Sequence, residues 1–108
     1  MMPFGLSEGT IHRINGVFSK FPAVTGAILY GSRAKGNFRE GSDIDLTLLG
    51  DEVTHDILGA IHHDLDDLLL PYTIDLSIKN KLSHAALLDH IDRVGVVFYE
   101  KPLGNGGP

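Results

Sequence analysis

The chain has 108 residues, with nine Lys or Arg against 14 Asp or Glu, no cysteine and a formal charge of −5. That length gives one domain able to bury roughly 65% of its unfolded surface, and the lack of cysteine excludes disulfides and thiolate metal sites and makes a cytoplasmic location the default. The acidic balance argues against extended nucleic-acid binding, which needs a basic face. No apolar run approaches the roughly 20 residues that span a membrane, and no secretory leader is expected.

Residues 1–6 read as a lead-in. From Ser7, a candidate N-cap, Ile11, Ile14, Phe18 and Phe21 recur at helical spacing until Pro22 stops them. Residues 24–30 are too short and too uniformly apolar for a surface helix and predict a buried strand. Gly31 and Ser32 then turn the chain, with Ser32 a candidate cap for a short helix over residues 33–38. Residues 43–49 alternate, Ile44, Leu46 and Leu48 on one face and Asp43, Asp45 and Thr47 on the other. A helix over residues 54–70 follows, its stripe made of Ile57, Leu58, Ile61, Leu65, Leu68 and Leu69, before Pro71 ends it. Residues 72–78 repeat the strand alternation, with Thr73, Asp75 and Ser77 on the polar face. Ser83 is the expected cap of a last helix containing Ala86, Leu87, Leu88 and Ile91, Gly95 breaks it, and residues 96–100 close as a strand that could lie at a sheet edge. The order implies an α/β sandwich, a mixed β-sheet with helices packed on it, in one domain over residues 1–101 with a flexible tail at 102–108.

The chemistry concentrates between residues 31 and 45. Gly31 and Ser32 offer backbone N–H groups and a hydroxyl to an anion, and Arg33, Lys35 and Arg39 are three of only nine cations in the chain. Asp43 and Asp45, two apart on a strand, project side by side, and Asp75 joins them if the two alternating strands are sheet neighbours. Mg²⁺ takes such oxygen ligands together with water and substrate phosphates, so the combination suggests a site for a metal-bound polyphosphate. Taken singly, an Asp-x-Asp pair is most often a solvated face, a Gly-Ser only a turn and Asp75 a surface acid. Their joint occurrence on two matched strands reverses those odds.

Gly31-Ser32, ten residues, then Asp43-Ile44-Asp45 resembles the Gly-Ser-x10-Asp-x-Asp signature of the DNA polymerase β-like nucleotidyltransferases. The local forms Gly-Ser-Arg-Ala-Lys-Gly and Ser-Asp-Ile-Asp-Leu are similar to the minimal nucleotidyltransferases (MNT), the MntA-type antitoxins of HEPN–MNT toxin–antitoxin pairs, over residues 11–100. Lys35 stands where many relatives carry arginine, which keeps the charge and loses the planar fork. The resemblance implies Asp43, Asp45 and Asp75 as metal-binding catalytic acids with two Mg²⁺ ions, and Gly31 and Ser32 as the phosphate-binding turn, with Arg33, Lys35 and Arg39 as cations for the triphosphate. It implies transfer of AMP from ATP to a hydroxyl, a tyrosine of a partner HEPN ribonuclease, with pyrophosphate released. Two other functions stand beside it: a non-catalytic antitoxin that acts by covering its partner, and a nucleotidyltransferase with a small-molecule acceptor, which usually needs an extra helical domain. Association with the toxin or with a second copy is compatible with the apolar closing strand.

The six histidines do not suggest a metal site. His62 and His63 are adjacent on a helix and so point about 100° apart, and His12, His55, His84 and His90 have no evident partners. Tyr30, Tyr72 and Tyr99 lie in or beside strands and are expected in the core.

Overall fold

The computed structural model describes residues 2–102. A short 3-10 turn at Pro3–Gly5 leads into α1 (Glu8–Phe18), and β1 (Gly26–Tyr30), α2 (Gly31–Lys35), β2 (Ile44–Leu49), α3 (His55–Asp66) and β3 (Ile74–Ile78) follow. A second 3-10 turn at Lys79–Lys81 precedes α4 (Ala85–Val94) and β4 (Val96–Glu100). Of the expected tail at residues 102–108, residues 103–108 lie outside the described residues.

Local chemistry accounts for most boundaries. Ser7 caps α1 by accepting the Thr10 N–H at 3.0 Å, and Thr54 caps α3 by accepting the Ile57 N–H at 3.2 Å. Both satisfy amide groups that the first helical turn leaves unpaired. Three ends differ from expectation. α1 stops at Phe18, because the next residues tighten into turns through Lys20 N–H to Val17 O at 3.0 Å and Phe21 N–H to Phe18 O at 3.0 Å. α3 stops at Asp66, and Leu69 enters the left-handed region at φ 55°. Leu68 and Leu70 still pack on the core, but Leu69 leaves the stripe and is 87% exposed. Finally, α4 is capped by His84, whose Nδ1 accepts the Leu87 N–H at 3.2 Å, and not by Ser83.

The four strands form a mixed sheet in the order β3-β2-β1-β4. β1 pairs antiparallel with both β2 and β4, and β2 pairs parallel with β3. On one face, Ala27, Leu29, Ile44, Leu46, Leu48 and Ile78 meet Ile14, Val17 and Phe18 of α1 and Ile61 and Leu65 of α3, all of them buried. The alternation of β2 thus sends its apolar side into this core and its acids to the opposite face. There α4 packs over β1, α2 touches both β1 and β2, and Asp43 and Asp75 stay exposed. β4 is an edge strand, with Val97 66% exposed.

Candidate functional site

Antiparallel pairing brings the end of β1 against the start of β2, and parallel pairing brings the start of β3 beside it. Tyr30 therefore lies opposite Asp45, and Asp45 lies opposite Asp75. Thr47 and Ser77 form the next rung, where the Ser77 hydroxyl donates to Thr47 Oγ1 at 2.8 Å. That bond is why Thr47 can be fully buried on the polar face. Asp43 immediately precedes β2 and is exposed, as is Asp75, while Asp45 is half-buried between them. The three sequence-predicted acids thus share one face and one end of the sheet.

Their proximity has an electrostatic consequence. Burial raises the pKa of Asp45 above its ordinary value, and the negative charges of Asp75 and Asp43 raise it further. Tyr30 is also pushed up, first by burial and then by the charges of Asp75 and Asp45, against a hydrogen bond with Ser77. Among the described residues no three His, Asp or Glu side chains are gathered tightly enough to make a ready-formed metal cluster. The donor set nonetheless fits a hard cation, since a half-buried carboxylate flanked by two others is held at an energetic cost that positive charge would relieve.

Gly31 follows Tyr30 directly and opens α2. It adopts φ +76°, and a Cβ at this position would overlap the Asp45 carboxylate. Only glycine accommodates both the backbone conformation and the close approach. Gly31→Ala is expected to cost about 1–2 kcal/mol for the left-handed conformation. By displacing Asp45 it should also lower transfer activity by about 100-fold, since misplacement of reacting groups by about 1 Å can cost that much. Thermal melts and initial rates on the same preparation check both effects. Ser32 lies inside the first turn of α2 and does not cap it, because Tyr30 occupies the N-cap position.

The three cations are placed differently from one another. Lys35 and Arg39 are exposed. Arg33 is 3% exposed and its guanidinium serves the fold. Its Nε and Nη2 donate to Ser42 O at 3.1 and 2.9 Å, and Nη1 donates to Phe4 O at 2.8 Å. The guanidinium carbon also lies 5.2 Å from the Phe38 ring centre and 4.9 Å from that of Tyr72. The donors of Arg33, expected to serve a phosphate, are turned toward carbonyls of the protein in this structure. Arg33 instead ties the lead-in and the β3 approach to the loop that ends at Asp43.

His90 was invisible as a site residue in the sequence. Its Nε2 accepts the Gly31 N–H at 3.1 Å, and its ring meets Tyr30 edge-on at 6.1 Å. The only sequence signal was its place one residue before Ile91, which the helical stripe turns toward the sheet. His62 and His63 instead face Asp66 and Asp67 one turn on, at 3.5 and 3.6 Å, on the solvated side of α3.

Comparison with known proteins agrees with this architecture. Solved structures with the same fold include a toxin–antitoxin complex with AMP-PNP, with a TM-score of 0.67 at 20% identity over 90% of this chain and 76% of the other. A second is a doubly substituted mutant of the MntA–HpeT toxin–antitoxin, with a TM-score of 0.66 at 18% identity over 90% and 76%. A third is the tri-AMPylated Shewanella oneidensis HEPN toxin in complex with MNT antitoxin, with a TM-score of 0.64 at 17% identity over 87% and 72%. At such identities the likeness is one of fold. No curated protein matches the chain by sequence, and no helix among the described residues is long and apolar enough to cross a membrane. The family model "Polymerase beta, Nucleotidyltransferase" matches residues 12–102. Covering the whole sheet, both acidic strands included, that match shows that the chain belongs to the polymerase β nucleotidyltransferase family.

Proposed function

We propose that this chain is an Mg²⁺-dependent nucleotidyltransferase of the MNT antitoxin type, moving AMP from ATP to a tyrosine hydroxyl of a HEPN-type toxin. The observation that carries the reading is the Asp45–Asp75 register beside Gly31, which gathers like charges next to a turn suited to phosphate. The AMP-PNP and AMPylated-toxin complexes of fold neighbours support the choice of nucleotide and acceptor.

In this reading Asp43, Asp45 and Asp75 would hold the metal. When bound, Mg²⁺ would supply charge neutralisation for the triphosphate and lower the pKa of the attacking hydroxyl. Gly31 shapes the turn, Ser32 holds the phosphate tail through its backbone N–H and its hydroxyl, and Lys35 and Arg39, exposed nearby in sequence, balance its charge. Asp75 is exposed and free to approach an incoming acceptor. It takes the hydroxyl proton as the acceptor oxygen bonds to the α-phosphorus. The bond from that phosphorus to the β-phosphate oxygen breaks, and pyrophosphate leaves. A macromolecular acceptor suits a site whose Asp43 and Asp75 are exposed at the end of the sheet.

The test is mass spectrometry of a HEPN-type toxin, purified after co-expression with this chain. AMP on a tyrosine, lost with Asp43→Asn, supports the proposal. A stable complex with an unmodified toxin would instead favour an antitoxin that acts by covering its partner.

A further inference from the structure

We infer that His90 is a positioning residue for the nucleotide, locking the Gly31–Ser32 turn in its phosphate-binding conformation by accepting the Gly31 N–H. The inference rests on the nucleotide site proposed above. Glycine explores more backbone conformations than any other residue, so the φ of +76° at Gly31 needs an outside restraint. The neighbouring side chains offer little: Tyr30 provides no capping bond, and α2 has only five residues to hold the turn from the other side.

α4 provides the restraint. Ile91 is buried, and Gly95 closes the helix through its N–H to Ile91 O at 2.8 Å. A Cβ on Gly95 would lie 2.7 Å from Ile28 Cγ2, so helix and strand approach as closely as glycine permits. One position before Ile91, His90 is aimed along the sheet at Tyr30, and the edge-on ring contact at 6.1 Å fixes its plane. Its Nε2 then meets the Gly31 N–H at 3.1 Å. An accepting Nε2 requires the neutral ring with its proton on Nδ1. The same turn presses Gly31 against Asp45, so one hydrogen bond from α4 sets both the phosphate turn and the packing surface of a catalytic acid. The Ser32 hydroxyl and N–H are left for the ligand.

The experiment compares wild type, His90→Ala and His90→Gln by calorimetric titration with Mg²⁺-ATP, alongside melting temperature and hydrogen exchange of the Gly31 amide by NMR. Glutamine places its Oε1 about where Nε2 sits and can accept the same bond. His90→Ala is expected to bind Mg²⁺-ATP about tenfold more weakly, which at 1.4 kcal/mol per decade is about one hydrogen bond. It should also exchange the Gly31 amide faster, and His90→Gln should recover affinity to within about threefold of wild type. Equal affinity in the wild type and a folded His90→Ala overturns the inference and leaves the nucleotide site standing. Tighter binding by His90→Ala also overturns it, because the imidazole would then be competing with phosphate for the N–H. If His90→Ala does not fold, Gly31 exchange and ATP affinity of His90→Gln decide: wild-type values support the lock, and a loss of affinity with Gly31 still protected overturns it. Failure of the wild type to bind any of the four nucleoside triphosphates removes the nucleotide reading and this inference together.

Discussion

Asp45→Asn is expected to reduce nucleotidyl transfer about a thousandfold, roughly 4 kcal/mol of transition-state stabilisation, while making the metal-free protein more stable. The two effects share one cause. Asp45 is held half-buried next to Asp75 and Asp43, and its pKa is raised by burial first and by those charges second. Between the unfolded carboxylate value and the raised native value, the native state holds the proton more tightly. Stability therefore falls as pH rises through that window and stays reduced at neutral pH. Asparagine keeps the shape and removes the charge, so its advantage should appear at pH 7 and vanish in acid below the unfolded value. Partial solvation keeps it small, about 2–4 °C in melting temperature. Excess Mg²⁺-ATP should reverse the order, because ligand binding stabilises only the protein that retains the site. Melts at pH 7 and in acid, with and without Mg²⁺-ATP, check the pattern.

Arg33→Met should cause the largest loss of stability of any single cation change, about 3 kcal/mol or roughly 10–20 °C in melting temperature. Methionine fills the space between Phe38 and Tyr72 but leaves Ser42 O and Phe4 O without their donors. Arg33→Lys should not rescue, since a single ammonium cannot span two carbonyls and two ring faces as the planar fork does. Activity should fall with stability, because Ser42 directly precedes Asp43 and the clamp sets where the loop delivers it. Arg39, exposed on the same loop, serves as the control: Arg39→Met should leave the stability within about 0.5 kcal/mol of wild type.

The difference between Arg33 and Arg39 shows where the sequence stops being legible. Alternation along residues 43–49 and 72–78 gave both the buried face and the acidic face, because strand periodicity is local. The order of elements was enough for a mixed sheet, and the Gly-Ser and Asp-x-Asp spacing was enough for the family. Charge, however, says nothing about burial. Arg33 is recruited by Phe4 from 29 positions away and by Ser42 from nine, a convergence that exists only once the chain is folded. His90 reaches Gly31 across 59 positions for the same reason. The early end of α3 goes with packing that lets Leu68 and Leu70 reach the core without further helix.

The most direct measurement uses ATP labelled either at the α- or at the γ-phosphate, incubated with Mg²⁺, this protein and the proposed HEPN-type partner. The account predicts that α-label becomes covalently attached to the partner while γ-label leaves as pyrophosphate, and that Asp43→Asn and Asp45→Asn abolish both. Retention of γ-label on the partner, or α-label transfer that survives both substitutions, would contradict the assignment of this acidic face as a nucleotidyltransferase site.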